Sequence, residues 1–177
     1  MKRILSLLFL LAAPAFAQAP DPAASVNAFY AVYAGQHAQG GGIPDATGRL
    51  RYSAVLSPRL NRQLQDAAKA QARLTAKVHN ALPPMLEGDI FTSLFEGATS
   101  WKVGACTGDA KVQRCTVVLT RAPATPKDKP ANWSDTVVVV SSPAGWKVDD
   151  VLYDANFAFG NTGKLSDMLQ MVVSQNP

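Results

Sequence analysis

Apolar and polar positions follow two different periods along this chain. In the first half they recur at helical spacing. Asp21-Pro22 places a capping side chain before a proline at the first helical position. Val26, Phe29, Tyr30 and Tyr33 then follow at i, i+3, i+4 and i+7, which predicts one apolar helical face ended by Gly35. Gly40-Gly41-Gly42, with Pro44 and Gly48, reads as a flexible loop. Ser57-Pro58 repeats the cap-and-proline device. Leu60, Leu64, Ala67, Gln71, Leu74 and Val78 predict a second, longer helix whose stripe only Gln71 interrupts. Pro83-Pro84 prevents its continuation.

In the second half the period falls to two. Trp101, Val103 and Ala105 alternate with Lys102 and Gly104, and Val117 to Thr120 is a β-branched apolar run. Pro123 to Pro130 is a loop. Thr136 to Val140 reads as a strand rich enough in valine to be buried on both faces. Ser141 to Gly145 turns the chain into a return strand, Trp146 to Tyr153. Leu165, Met168, Leu169 and Val172 predict a closing helix. Helices and strands are segregated, so the expected class is α+β: a curved antiparallel sheet of about four strands wrapped on two N-terminal helices and one C-terminal helix. Such a curved sheet would leave a conical cavity against its helices.

The N-terminus carries an address. Lys2 and Arg3 precede an apolar run from Ile4 to Ala13, Pro14 ends it, and Ala15-Phe16-Ala17 offers small residues where a signal peptidase reads. We expect residues 1–17 to be a secretory signal peptide cleaved after Ala17, and residues 18–177 to form a single domain. The run is too short to span a bilayer, which needs ~20 apolar residues, so no stable membrane anchor is expected. No cysteine follows it, which excludes a bacterial lipoprotein. The expected location is the periplasm of a Gram-negative bacterium, or the medium outside it.

Composition changes this picture little. The 177 residues are 47% hydrophobic and 17% charged, which excludes a disordered chain. The leader takes two of the seventeen basic residues and none of the thirteen acidic ones, leaving +2 for the rest. No basic run interleaves with aromatics, so no nucleic-acid partner is expected. Cys106 and Cys115 face an oxidising compartment and flank the turn signal Gly108-Asp109, which predicts a disulfide across a hairpin. Neither His37 nor His79 lies near them in sequence, so no metal site is expected, and no motif implies a cofactor.

Pro84-x-x-Glu87-Gly88-Asp89-x-Phe91-Thr92 follows the second helix, and Trp146-Lys147-Val148-Asp149-Asp150-Val151 lies in the last strand. With Phe29, Tyr30 and Tyr33 of the first helix, these motifs in this order resemble the bacterial secreted proteins of domain-of-unknown-function family 3828. That family is similar to the nuclear-transport-factor-2-like superfamily of α+β cones. The resemblance runs from about Ala23 to Val173. It implies a conical fold but no particular activity, because the superfamily holds isomerases, dehydratases and non-catalytic binding modules alike.

Two carboxylates are candidates for chemistry. Asp89 follows Gly88 in a loop and reads either as a general base at the cavity mouth or as a local turn former. Asp150, by strand phase, shares a face with Trp146, Val148 and Leu152; it is either a desolvated base or a backbone acceptor where the strand bulges. Tyr30, Tyr33, Trp101 and Tyr153 are candidate pocket residues or core edges. His79 suits a helix end, and His37 has no evident partner. The expectation is an exported binding or interaction module for a small apolar molecule or a partner protein, with an inhibitor or immunity role or a homodimer left open. The alternative is an isomerase- or dehydratase-like enzyme with a cavity Asp as base.

Overall fold

The structure, a computed structural model, describes residues 21–37, 40–79 and 81–175. The expected leader and its cleavage point lie outside them. In chain order the elements are α1 (Pro22–His37), α2 (Ala46–Ser53), α3 (Pro58–Lys77), β1 (Ser100–Gly108), β2 (Val112–Arg121), β3 (Ala131–Ser142), β4 (Gly145–Tyr153), β5 (Gly163–Lys164) and α4 (Leu165–Gln175). The strands form one open antiparallel sheet in the order β1-β2-β3-β4-β5. The coarse expectation of an α+β chain with a single antiparallel sheet therefore holds.

Side-chain alternation decides which sheet face meets the helices. Cys115, Val117 and Leu119 of β2 are buried, and so are Trp133, Asp135, Val137 and Val139 of β3, while the residues between them are not. α1 lies across β1 to β4 and seals this face with Val26, Phe29, Tyr30 and Tyr33. α3 and α4 pack on each other through Leu60, Leu64, Ala67, Leu165, Leu169 and Val172, all fully or almost fully buried. Val138 and Val140 are only half-buried, so β3 is not covered on both faces as its valine content suggested. Cys106 stands opposite Cys115 and is bonded to it.

Three elements depart from expectation. α1 runs past Gly35 to His37, since one glycine costs a helix interior only about 1 kcal/mol. The Gly- and Pro-rich stretch holds a helix, α2, because the Asp45 side chain accepts from the Gly48 N–H at 2.7 Å and caps it. Its buried side chain is Tyr52, too sparse a pattern to announce a helix. The two-residue β5 adds a fifth strand that has no period of its own.

β4 also breaks its alternation. Val148 stands opposite Val139 and Val151 opposite Val137, on the buried face. Asp150 pairs instead with Val138 on the other face, because Asp149 is an extra residue that makes a bulge. Asp150 therefore does not share a face with Val148, contrary to the simple strand phase.

Candidate functional site

The last two turns of α1 present Tyr33 and His37 on one side, as i,i+4 spacing requires. Their rings stack 5.1 Å apart at 19°. Facing them is the irregular segment 88–97, which contains Asp89. Asp89 Oδ1 accepts from the Phe91 N–H at 2.6 Å and the Thr92 N–H at 2.9 Å, a local turn. Its Oδ2 lies 3.2 Å from His37 Nδ1, and the Asp89 side chain is only 1% exposed. The Tyr33 hydroxyl accepts from the Ala98 N–H at 2.8 Å.

Gly97 allows these groups to converge. Its φ is +73°, and a Cβ there would stand 2.4 Å from Asp89 Oδ2, 2.4 Å from His37 Cε1 and 2.5 Å from the Tyr33 hydroxyl oxygen. A side chain would displace all three groups, and the left-handed backbone is itself costly for any other residue.

Irregular backbone is usually found at the surface, where water satisfies it. Residues 89–93 are buried, so side chains from distant elements must replace that water. Tyr153 donates to the Ile90 carbonyl at 2.6 Å. Asn161 Nδ2 donates to the carbonyls of Asp89 and Thr92 at 2.6 and 2.7 Å. Asp135, on the buried sheet face, accepts from the Ser93 N–H at 2.7 Å, from the Ser93 hydroxyl, and from Trp133 Nε1 at 3.0 Å. Arg121 donates to the Glu96 carbonyl. Segment 88–97 is thus a fixed wall.

The opposite wall is the stretch from Gly40 to Asp45. The Gly42 N–H donates to the Gly88 carbonyl at 2.6 Å, and a Cβ on Gly41 or Gly42 would stand 2.4 Å from a carbonyl oxygen of Glu87 or Leu86. Glycine is needed for so close an approach. Between the walls lies a cavity of about 250 Å³, lined by Tyr33, His37, Ile43, Asp45, Tyr52, Phe91 and their neighbours.

Three groups here titrate away from their ordinary values. The hydrogen bond to Asp89 raises the pKa of His37; burial opposes it, while the Asp89 charge and the Glu96 carbonyl reinforce it and Arg121 works against it. Burial pushes the Tyr33 and Tyr52 phenols up, and the Asp89 charge adds to both. At neutral pH the tyrosines are hydrogen-bonding neutral groups. Tyr52 is 1% exposed and lines this cavity.

Of the sequence candidates, Asp89 and Tyr33 meet at this cavity. Tyr30, Trp101 and Tyr153 do not line it. Tyr30 is fully buried in the core, stacked on Trp101 at 5.8 Å, and its hydroxyl has no hydrogen-bond partner among the described residues. Trp101 Nε1 donates to Asn27 Oδ1 at 3.1 Å. Asp150 lies elsewhere too: its Oδ1 accepts from the Ser166 and Val151 N–H groups at 3.0 Å, and its Oδ2 accepts from the Ser166 hydroxyl at 2.5 Å. Arg59 stands 3.8 Å from that Oδ2 while pairing with Asp149 at 2.7 Å. His79 is exposed beyond the end of α3 with φ +50°. His37, Asp45, Tyr52 and Gly97 were not read as a site. Only His37 carried a signal, its i,i+4 spacing from Tyr33, and the break expected at Gly35 hid it. Among the described residues, no group of three or more His, Cys, Asp or Glu side chains could hold a metal ion.

No protein-family model, curated protein or solved structure matches this chain.

Proposed function

We propose that this protein is an exported binding module that holds a small molecule in the cavity between the end of α1, residues 40–45 and segment 88–97. The observation that carries this reading is the cavity's rigid wall: a buried irregular segment fastened by Tyr153, Asn161, Asp135 and Arg121. A preformed wall lowers the ordering cost of binding. The volume of about 250 Å³ suits a compound smaller than most drug-sized ligands. A disulfide suits an oxidising compartment, and no helix of the described residues is long and apolar enough to cross a membrane. With the leader-like N-terminus, these features favour periplasmic export. The order of helices and strands is compatible with a conical member of domain-of-unknown-function family 3828.

An isomerase- or dehydratase-like role with Asp89 or Asp150 as base has less support. Both oxygens of each carboxylate are already engaged by protein donors, which makes them anchors in the fold. The test is native mass spectrometry of protein purified from the periplasm. An adduct on the wild type that is absent from Ile43→Trp, whose larger side chain fills the cavity, is the expected result. Identical spectra for a folded Ile43→Trp and the wild type would count against the cavity.

A further inference from the structure

Resting on the reading that this cavity is a binding site, we propose that it takes an uncharged molecule built on a single aromatic ring. A series of ring contacts runs from the core to the cavity. Trp101 stacks on Tyr30 at 5.8 Å, Tyr30 meets Phe29 edge-on at 5.0 Å, and Phe29 meets Phe91 edge-on at 5.5 Å. Phe91 in turn lies 4.7 Å from Tyr52, tilted by 35°, and edge-on to Tyr33 at 6.4 Å. Phe91, Tyr52 and Tyr33 also line the cavity, so the series reaches its wall. All three are buried, and the rings behind them hold them in place. A ligand ring bound there continues the series. Offset and edge-on ring pairs add attraction beyond the burial of apolar area, which a saturated ligand of the same shape does not gain.

The charges on the lining do not call for an ionic ligand. Asp89 Oδ1 accepts from two backbone N–H groups and its Oδ2 faces His37 Nδ1, so these groups are satisfied within the protein. Asp45 caps α2, where the positive end of the helix and Arg49 one turn on offset its charge. The Tyr33 and Tyr52 phenols are pushed up by burial and stay neutral. Volume sets the size. An apolar cavity of roughly 150 Å³ already admits benzene. The present one, of about 250 Å³, holds one ring with a short substituent. Ile43 and Pro44 add apolar lining for the ring, and the backbone from Gly40 to Gly42 adds polar lining for the substituent.

The test titrates the isotopically labelled protein with four probes of similar size: benzyl alcohol, its saturated counterpart cyclohexylmethanol, the anion benzoate and the cation benzylammonium. Binding is followed through the resonances of Ile43, Tyr52 and Phe91. Benzyl alcohol should bind most tightly, roughly threefold to tenfold ahead of cyclohexylmethanol, the worth of one well-placed ring contact. Phe91→Leu keeps apolar bulk and removes the ring, so it should bring that preference close to one; the wild-type comparison stands without it if the variant does not fold. Cyclohexylmethanol binding as tightly as benzyl alcohol, or a folded Phe91→Leu with the preference intact, would overturn the aromatic ligand. Benzoate or benzylammonium binding as tightly would overturn its neutrality. Each of these results leaves the cavity standing as a site. No saturable response to benzyl alcohol at millimolar concentration also overturns the proposal, and the adduct experiment on Ile43→Trp decides independently whether the cavity binds anything.

Discussion

His37 Nδ1 lies 3.2 Å from Asp89 Oδ2, and this contact ties the last turn of α1 to the buried segment that follows α3. Residues 52 positions apart in the chain thereby form one wall of the cavity. Because the Asp89 hydrogen bond raises the His37 pKa, the folded state holds the His37 proton more tightly than the unfolded chain does. The stabilisation is complete below the unfolded value, about 6.5, and is lost as pH rises through the higher folded value. We expect His37→Asn to melt well below the wild type at pH 5.5, and the gap to narrow as pH rises above neutrality. Paired thermal melts across this range check it; a gap that is constant or widens with pH would refute it.

Gly97→Ala should be far more damaging than a surface glycine substitution. It adds left-handed strain to a Cβ that would stand 2.4 Å from both Asp89 Oδ2 and His37 Cε1. The expected loss is roughly 2–5 kcal/mol, the sum of the backbone and overpacking costs. Denaturant unfolding measures it, and the His37 ring signals should move with it. Gly35→Ala, where a Cβ would meet nothing within 4 Å, is the control and should be neutral or stabilising.

Much of the fold was legible in the sequence because burial imposed a period. The stripe of α3 and the apolar runs of β2 and β3 are direct records of burial, although the valines of β3 suggested two covered faces where the structure covers one. The features that build the site leave no such record. α2 is held by one cap and one buried tyrosine within a Gly/Pro stretch. Segment 88–97 has no period, because its backbone is satisfied one group at a time by Tyr153, Asn161 and Asp135 from distant elements. The bulge at Asp149 reversed the face assigned to Asp150, and one inserted residue does this without any mark in hydropathy. Asp89 was visible as a motif residue, but its partner was not, since Gly35 suggested that α1 stopped short of His37.

Asp135→Asn tests the fastening of that segment. Burial raises the Asp135 pKa, and hydrogen bonds from Ser93, Trp133 and Asp154 oppose the shift. An amide would turn an NH₂ group toward donors it now accepts from, on whichever side it faces. We expect a loss of about 2–4 kcal/mol by chemical denaturation, in the range of an unmatched buried polar group with lost partners. A neutral substitution would mean that the segment is held by its other contacts.

Asp150→Asn should also destabilise, by about 1–3 kcal/mol, because the amide cannot accept at both former oxygens from Ser166 and Val151. Ligand binding at the cavity should be unchanged, since Asp150 is not part of its lining. A stable variant with lost binding would move the site to β4.

Cys106 and Cys115 are joined across the β1–β2 hairpin. Closing a loop of about ten residues stabilises by roughly 2–3 kcal/mol in the chain-entropy model. Reduction should lower the melting temperature accordingly, and thiol labelling of the denatured, unreduced protein should find no reactive cysteine. Two labelled thiols would refute the bridge.

The cavity itself is tested most directly by titrating the isotopically labelled protein with a set of small fragments and mapping which resonances move. We expect the largest shifts to converge on Tyr33, His37, Ile43, Tyr52 and Phe91, with the surroundings of Asp150 unmoved. Shifts that gather on another surface, or no saturable shift from any fragment, would contradict a binding site at the end of α1.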